Sequence, residues 1–349
     1  MKENPAEKAG APASHVGIVA VVGRTNAGKS TLVNRLLGEK ISIVSPVVQT
    51  TRTVIRGVLT EDRGQVVFLD TPGLHKSRSK LGTEMNKRAR SSLAGADVVL
   101  LMCDGSRDPL LEDEGWMQRL VRSEAPVIVF LNKADLACKG KKFRQAWDEA
   151  VASSVRQEEQ AEVRARLEQK CSEGEAPEAQ RPSWKKRIKG YAPPRPLVKP
   201  IWMIGSASSG EGVPELLDRI FALLPEGGLL FDADTLTDYP RKLAVADLIR
   251  ERFFLKFRDE LPHAIGVKVD SITPHPDGMT SVKATVFVQR HNQKGIVLGE
   301  KGRTLRSITR ESERVLTDFF DGPVKIELWI KVEPNWDENF FLLRQAGYL

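Results

Sequence analysis

Short apolar runs alternate with amphipathic, helix-like stretches over the first 225 residues of the chain. The runs lie at 16–22, 54–60, 65–70, 97–103, 126–131 and 200–205, and each has the length of a buried strand. This alternation predicts a mainly parallel sheet with helices on both faces. Ligands bind at the carboxyl edge of such sheets, so the residues that follow each run are the first candidates for a site.

The pattern changes twice further along the chain. Residues 142–171 carry apolar side chains at multiples of four, which predicts one amphipathic helix inside a long connection. After residue 240 the pattern predicts a different fold, with a helix at 241–260, strands at 264–273 and 280–290, a helix at 300–320, a strand at 323–331 and a short terminal helix. We therefore predict a disordered leader at 1–13, an α/β domain at 14–225 with an insertion-bearing connection at 139–199, a linker at 226–240 and an α+β domain at 241–349.

Composition favours a soluble protein with an anionic partner. The 349 residues include 53 Lys+Arg and 46 Asp+Glu, for a net charge of +7, which suits nucleic acid or an acidic membrane surface. Residues 230–349 contain 18 basic and 18 acidic residues, so total charge does not assign the partner to the second domain. No apolar run approaches the ~18 residues of a membrane span. The three cysteines lack metal-ligand spacing, and together these features predict a cytoplasmic protein.

The stretch "GRTNAGKS" follows the first predicted strand and precedes a helix, which is the context of a phosphate-binding P-loop. Glycines let backbone N–H groups surround a β-phosphate, Lys29 would reach the β- and γ-oxygens, and the Ser30 hydroxyl would bind Mg²⁺. The residues that we expect to bind the nucleotide here are Gly23, Arg24, Thr25, Asn26, Ala27, Gly28, Lys29, Ser30 and Thr31.

"VVFLDTPG" ends the third apolar run. Asp70 could hold Mg²⁺ through a bound water, and the Gly73 N–H could meet a γ-phosphate. The alternative is an aspartate that caps a loop, and the preceding P-loop favours the metal site.

Two further strand ends predict recognition of guanine. In "VIVFLNKAD", Asn132 and Lys133 precede Asp135, whose carboxylate could accept hydrogen bonds from guanine N1–H and the exocyclic amino group. Adenine lacks this pair of donors, so an ATPase is disfavoured. In "IGSASSG", the Ser206–Ala207 backbone could contact guanine O6.

A second glycine loop, "VLGEKG", lies between two helical segments and among basic residues. It predicts contact with an RNA backbone, and the alternative is a basic, solvated helix cap. The predicted RNA-binding residues are Lys294, Gly299, Glu300, Lys301, Gly302, Arg303 and Arg306. Apolar residues at helical spacing are expected to form a groove wall; they are Ile296, Val297, Leu305 and Ile308.

The four strand-end motifs resemble those of translation-factor-class GTPases, and the order helix–strand–strand–helix–helix–strand resembles the bacterial (type II) KH fold. Together with "IELWIKV" and "LRQAGYL" near the end, the chain resembles the Era family of bacterial GTPases over about residues 14–137 and 200–349. The resemblance implies hydrolysis of GTP to GDP with Mg²⁺, coupled to binding 16S rRNA near its 3′ end in assembly of the 30S ribosomal subunit. It makes 14–225 the P-loop GTPase domain and 241–349 the KH domain of a monomeric protein.

The resemblance also implies residue roles. "QTTR" matches the first switch, with Thr51 as the γ-phosphate and Mg²⁺ contact and Thr50 as the fallback. Catalysis is then expected from Lys29, Thr51, Asp70 and Gly73. Leu74 stands where Ras-like GTPases carry a water-orienting glutamine. In relatives that lack this glutamine, an asparagine matched by Asn26 can help bind K⁺; the other interpretation is that Asn26 only stabilises the loop.

Three alternatives stay open. One is an RNA-binding module with an inactive nucleotide site, and another is a signalling GTPase that associates peripherally with the cytoplasmic face of the inner membrane and binds RNA only secondarily. The third concerns the basic tract at 181–200, where Trp184 and Tyr191 would either stack on RNA or pack on the sheet.

Overall fold

The computed structural model of the protein describes residues 14–42, 54–73, 80–136, 138–172, 196–257 and 261–348, and gives only the backbone for residue 80 and residues 162–172. The predicted first switch, Leu74, the leader, Trp184 and Tyr191 lie outside these residues. No helix within them has the length and the apolar composition needed to cross a bilayer.

The first domain is built on a six-stranded sheet in the order β2-β3-β1-β4-β5-β6, in which only the β2–β3 pair is antiparallel. The strands are β1 (His15–Val22), β2 (Ile55–Glu61), β3 (Gly64–Asp70), β4 (Val98–Asp104), β5 (Val127–Asn132) and β6 (Ile201–Ile204). Each predicted strand is confirmed to within one residue at either end. The four inner strands, β3, β1, β4 and β5, are almost entirely buried, and a strand that is buried on both faces reads as a continuous apolar run.

Helices cover both faces of this sheet. They are α1 (Lys29–Leu37), α2 (Lys80–Ser91), α3 (Leu111–Leu120), α4 (Gly140–Ser172) and α5 (Val213–Phe221). Leu32 of α1 and Leu216 of α5 are fully buried against one face, and Trp116 of α3 and Phe143 of α4 against the other. The predicted helix at 142–171 is therefore confirmed as α4, whose apolar stripe explains its position on the sheet.

The second domain packs helices on one face of a three-stranded sheet in the order β7-β8-β9, with β7 and β8 antiparallel and β8 and β9 parallel. Its elements are α6 (Arg241–Lys256), β7 (Gly266–Pro274), β8 (Thr280–Val288), α7 (His291–Leu298), α8 (Arg303–Phe320), β9 (Val324–Val332) and α9 (Phe340–Gln345). The predicted element order is confirmed.

Two predicted helix bounds in this domain were wrong. α6 ends at Lys256 rather than at 260, because the Phe257 backbone is extended and its ring stacks on Phe253 with centroids 6.4 Å apart. α8 begins at Arg303 rather than at 300, because residues 300–302 form a separate 3₁₀ turn in which Lys301 has a left-handed backbone (φ 50°).

The segment predicted as a linker, 226–240, runs along the edge of the first sheet. The Val58 N–H donates to the Leu236 carbonyl at 2.8 Å, and the buried Gln65 side chain accepts from the N–H groups of Leu230 and Phe231, each at 2.9 Å. The segment is therefore fastened to β2 and β3, while the exact domain boundaries stay a prediction.

Two further contacts join the domains. Leu81 and Met85 of α2 are buried in a cluster with Phe287 and with the C-terminal residues Trp336 and Tyr348. The Lys40 ammonium, beyond the end of α1, lies 2.7 Å from the buried Glu251 carboxylate of α6.

Candidate functional site

The loop after β1 requires glycine at two positions. Gly23 (φ 145°) and Gly28 (φ 96°) both have left-handed backbones. A Cβ on Gly23 would lie 2.2 Å from the Met102 carbonyl oxygen, and one on Gly28 would lie 2.2 Å from the Asn132 side-chain nitrogen. The chain therefore turns tightly into α1, and the first N–H groups of that helix are arranged as in sites that bind anions.

Lys29 lies at the centre of this loop. Its buried ammonium donates to the carbonyl oxygens of Gly23 at 3.2 Å and Arg24 at 2.8 Å. Burial lowers the pKa of Lys29 to about 8, against the opposing effect of the Asp70 and Asp113 carboxylates. The site therefore holds a poorly solvated cation that an incoming phosphate would stabilise.

The "DTPG" turn lies directly against this loop. Asp70 is the last residue of β3, is fully buried, and pairs in register with Val21 of β1. The Thr71 hydroxyl donates to the Val21 carbonyl at 2.8 Å. A Cβ on Gly73 would lie 2.6 Å from the Thr25 backbone nitrogen, so only glycine permits this approach.

A metal ion fits the residues at this edge. The buried Asp70 carboxylate is close enough to Lys29 to raise its pKa, and Ser30 is half-buried at the start of α1. Carboxylate and hydroxyl oxygens are ligands that Mg²⁺ prefers. Thr51, the third predicted ligand, lies outside the described residues.

The predicted base-binding loops meet the phosphate loop through Asn132. Its side-chain nitrogen donates to the Ala27 carbonyl at 2.8 Å, and its side-chain oxygen accepts from the Ala207 N–H at 2.8 Å. Ser206 is also buried in this region, whereas Asp135 is exposed to solvent, where it can meet a ligand's edge. The structure thus gathers three predicted loops at one edge of the sheet.

The sequence interpretation missed two residues of this edge. The Arg35 guanidinium on α1 donates to the Ala207 carbonyl at 2.6 Å and also to the Ser208 carbonyl, which fixes the loop after β6. Asp104 ends β4 and accepts from Lys133 at 2.7 Å. Its signal was present, because Asp104 ends an apolar run just as Asp70 does.

The Arg24 side chain turns away from the loop into an acidic pair. Its guanidinium lies 3.2 Å from the Asp104 carboxylate and 3.3 Å from the Asp113 carboxylate. Burial raises the pKa of Asp113 to about 6. Burial also favours a higher pKa for Asp104, but hydrogen bonds from Lys133 and Ser106 hold it below its usual value.

Three left-handed residues shape the second glycine loop. They are Gly299 (φ 66°), Lys301 (φ 50°) and Gly302 (φ 73°). A Cβ on Gly299 would lie 2.1 Å from the Thr304 hydroxyl, while Gly302 faces open space apart from the Arg306 guanidinium at 3.3 Å. The loop is thus packed at its first glycine and accessible at its second.

Basic side chains surround this loop. Arg306 donates to the Lys301 carbonyl at 2.7 Å, and Arg303 pairs with Glu300. A groove of about 460 Å³ follows the exposed face of α8, lined by Arg303, Arg306, Ser307, Arg310 and Glu311. Lys294 lies half-buried on α7. Arg303 and Arg306 of the predicted set therefore line one groove together with Arg310, and Glu300 pairs with Arg303 beside it.

The predicted apolar groove wall was largely wrong. Val297 and Ile308 are fully buried in the core of the second domain, and Leu305 packs against that core. The reason is helical periodicity, which turns these positions towards the sheet. Ile296 is 53% exposed and is the residue of this set that remains open to a ligand.

Comparisons with known proteins agree with this arrangement. A family described as "50S ribosome-binding GTPase" matches residues 18–133, and the KH domain family matches residues 260–337. The GTPase Era of Geobacter sp. (strain M21) is 36% identical over 334 residues, covering 95% of this chain and 97% of that protein. This chain belongs to the Era family of GTPases. The Era GTPase of Leuconostoc citreum (strain KM20) is 35% identical over 333 residues, covering 95% and 96% of the two chains.

Two solved Era structures extend the likeness to the fold. A point variant of Aquifex aeolicus Era bound to GDP·AlF4⁻ superimposes with a TM-score of 0.77 at 33% identity, covering 96% of this chain and 99% of that one. An Era structure with MgGDPNP and nucleotides 1506–1542 of 16S ribosomal RNA gives the same values. The Era-family chain is therefore a GTPase whose P-loop domain is followed by a KH domain, as the sequence predicted.

Proposed function

We propose that this Era-family GTPase is a GTP-controlled switch that binds 16S rRNA near its 3′ end and acts in assembly of the small ribosomal subunit. The observation that carries the proposal is the burial of Leu81 and Met85 of α2, the helix that follows the "DTPG" motif, against Trp336 of the KH domain. A helix next to the nucleotide site and the RNA-binding domain therefore share one apolar cluster.

In the nucleotide half, the phosphate loop and Lys29 hold the β- and γ-phosphates, and Asp135 reads the guanine edge. Ser30 and Asp70 are the described residues that would hold Mg²⁺, which neutralises charge on the phosphates when bound. Gly73 lies against the Thr25 backbone of the phosphate loop, which supports a role for its N–H in sensing a γ-phosphate. The role of Thr51 stays a prediction.

In the RNA half, Gly302 provides the open approach to a phosphate, and the Arg303, Arg306 and Arg310 side chains supply charge along α8. In the KH fold, such a loop clamps about four nucleotides of single-stranded RNA through their backbone. The related Era structure with 16S rRNA nucleotides 1506–1542 supports the choice of RNA.

The test measures binding of full-length protein to an RNA of 16S nucleotides 1506–1542 with GDPNP or with GDP. Gly302→Asp places a carboxylate where a phosphate would approach, and we expect at least a roughly tenfold loss of RNA affinity with unchanged GDP affinity. Gly278→Asp is the matched control, because Gly278 also has a left-handed backbone (φ 82°) and open surroundings, in the β7–β8 turn. If the wild-type protein bound RNA with equal affinity in GDPNP and in GDP, the proposed switch would be overturned. If Gly302→Asp and Gly278→Asp lost RNA affinity equally, the proposed RNA surface would be overturned.

Asn26 either contributes a ligand to K⁺ or only stabilises the phosphate loop. Its backbone is left-handed (φ 60°), a conformation that asparagine adopts more readily than most residues, and its side chain is exposed. Hydrolysis measured in KCl and in NaCl separates the two interpretations. A rate that falls in NaCl, and no longer responds to the cation in Asn26→Ala, identifies a K⁺ ligand; equal rates identify a loop stabiliser.

Cytoplasmic location, peripheral membrane association and the monomeric state are predictions from the sequence. Co-sedimentation with anionic liposomes in the absence of RNA tests the membrane alternative. Binding that survives Gly302→Asp would indicate a lipid surface separate from the RNA loop.

A further inference from the structure

We propose that Asp104 is a positioning residue that fixes the spacing between the phosphate loop and the guanine-reading loop. Its carboxylate joins Arg24, the second residue of "GRTNAGKS", to Lys133, the second residue of "NKAD". The inference rests on the nucleotide half of the function proposed above and not on RNA binding.

Both oxygens of the Asp104 carboxylate are engaged. One oxygen lies 3.2 Å from the Arg24 guanidinium and 2.7 Å from the Lys133 ammonium. The other accepts from the Ser106 N–H at 3.2 Å and from the Ser106 hydroxyl at 2.5 Å. The exposed Arg107 guanidinium lies farther away, 3.9 Å from the first oxygen. These five interactions converge on a side chain that is only 2% exposed, so the carboxylate cannot move without losing several of them.

Arg24 and Lys133, the two cations that Asp104 joins, each help to set the conformation of one loop: the phosphate loop and the guanine-reading loop. The Arg24 backbone carbonyl accepts a hydrogen bond from the Lys29 ammonium, so the residue clamped by Asp104 also fixes the phosphate-binding lysine. Lys133 has a left-handed backbone (φ 67°) between Asn132 and the base-reading residue Asp135. A shift at Asp104 would therefore reach both ends of the nucleotide site.

Asp113 offers a contrast within the same cluster. It contacts Arg24 at 3.3 Å and accepts from the Leu110 N–H at 3.1 Å, within the first turn of α3. These contacts hold the phosphate loop against α3 and do not extend to Lys133. Of the two acids beside Arg24, Asp104 is therefore the one that bridges the two loops.

The consequence concerns ligands that bind to both loops at once. Linking two contacts gains affinity only while the sites keep the spacing that the ligand spans. GDP spans the phosphate loop and the guanine loop, whereas inorganic pyrophosphate engages the phosphate loop alone. Loss of the Asp104 charge should therefore lower the affinity for GDP much more than the affinity for pyrophosphate.

The experiment compares GDP affinity by calorimetry with pyrophosphate affinity by ³¹P NMR titration on full-length protein. For Asp104→Asn we expect a loss of GDP affinity of about 10- to 100-fold and a change in pyrophosphate affinity below about twofold. Asp108→Asn is the matched control, because Asp108 lies on the same loop, is half exposed, and pairs with Lys139 and Lys142 on the surface; it should change neither.

An equal loss of GDP and pyrophosphate affinity in Asp104→Asn would mean general damage to the phosphate loop and would overturn the inference. Unchanged GDP affinity would overturn it as well. Wild-type protein that bound no GDP would instead overturn the proposed function, so the two failures are distinguishable.

A second pair of variants keeps Asp104 in place and serves if Asp104→Asn does not fold. Lys133→Met removes the ammonium from Asp104, and Lys133→Arg keeps a cation there. GDP affinity should fall in the first variant and be largely retained in the second, with pyrophosphate affinity unchanged in both. Equal losses of GDP affinity in the two variants would show that the ion pair is irrelevant, and the inference would fail.

Discussion

At the scale of single residues, the buried ammonium of Lys29 determines how nucleotide binding responds to pH. Burial lowers its pKa to about 8, so nucleotide-free protein loses this proton as the pH rises through about 8. A bound phosphate stabilises the charged form, and GDP binding must then take up a proton. We predict uptake of nearly one proton at about pH 9 and almost none at about pH 6.5, with GDP affinity falling up to about tenfold per pH unit above about 8.

Calorimetry in buffers of different ionisation enthalpy measures this proton count. Lys133→Met is the control, because its Nζ contacts Asp104 and not the phosphate loop carbonyls; the proton count should be unchanged there. A GDP affinity that stays flat between about pH 7 and about pH 9 would contradict a depressed pKa at Lys29.

At the residue scale, a motif in the sequence indicates both the residue type at a position and the backbone conformation expected there. Gly23, Gly28 and Gly73 occupy positions at which a Cβ would collide with neighbouring backbone or side-chain atoms. The role of Asp104 was not predicted, because its partners Arg24 and Lys133 are 80 and 29 residues away in the sequence. No local sequence pattern indicates such a pair of contacts. Sequence distance therefore hid the contact, although the chemical type of the residue was visible.

At the scale of elements, α2 is the helix that connects the "DTPG" turn to the KH domain. Met85 is 1% exposed and packs with Leu81 in the cluster around Trp336. We predict that Met85→Ala lowers the free energy of domain docking by about 2 kcal/mol, at the low end for a buried methionine because the cavity borders an interface. Hydrogen exchange should accelerate at residues 340–348, and the difference in RNA affinity between GDPNP and GDP should shrink.

Met117→Ala is the matched control for this helix. Met117 is fully buried within the first domain, on α3, so its truncation destabilises that domain without touching the cluster. Unaltered exchange at residues 340–348 in Met85→Ala would mean that α2 does not hold the KH domain.

Helices and strands could be predicted from the sequence where the spacing of their own apolar residues indicates them. The strands of the first sheet follow from apolar runs, and α4 follows from Phe143 and Trp147 on one stripe. The pairing of α2 with Trp336 has no such local signal, because the helix is mostly polar and two of its buried residues, Leu81 and Met85, are covered by a distant part of the chain.

At the scale of the whole molecule, the KH domain and the linker contact the chain on both sides of the predicted first switch. Lys40 precedes that segment and pairs with Glu251 of α6 at 2.7 Å. Arg56, in the strand that follows it, pairs with Asp238 of the linker at 2.5 Å. A nucleotide-dependent change between residues 40 and 56 would therefore act on the KH domain through the Lys40–Glu251 ion pair and on the linker through the Arg56–Asp238 pair, with α2 as a further connection to the KH domain.

This arrangement makes Lys40 a test of long-range coupling. The buried Glu251 carboxylate also pairs with Arg252, and the Lys40 side chain is 44% exposed, so we expect the Lys40 pair to contribute about 1 kcal/mol, or roughly fivefold in an equilibrium constant. We predict that Lys40→Met reduces the ratio of RNA affinities in GDPNP and GDP by up to about fivefold. GDP affinity and basal GTP hydrolysis should change by less than about twofold, because Lys40 touches neither loop of the nucleotide site.

Lys142→Met, which removes a surface lysine paired with Asp108, is the control and should leave the ratio of RNA affinities unchanged. If the ratio survives in Lys40→Met but falls in Met85→Ala, the coupling runs through α2 and not through the start of the first switch.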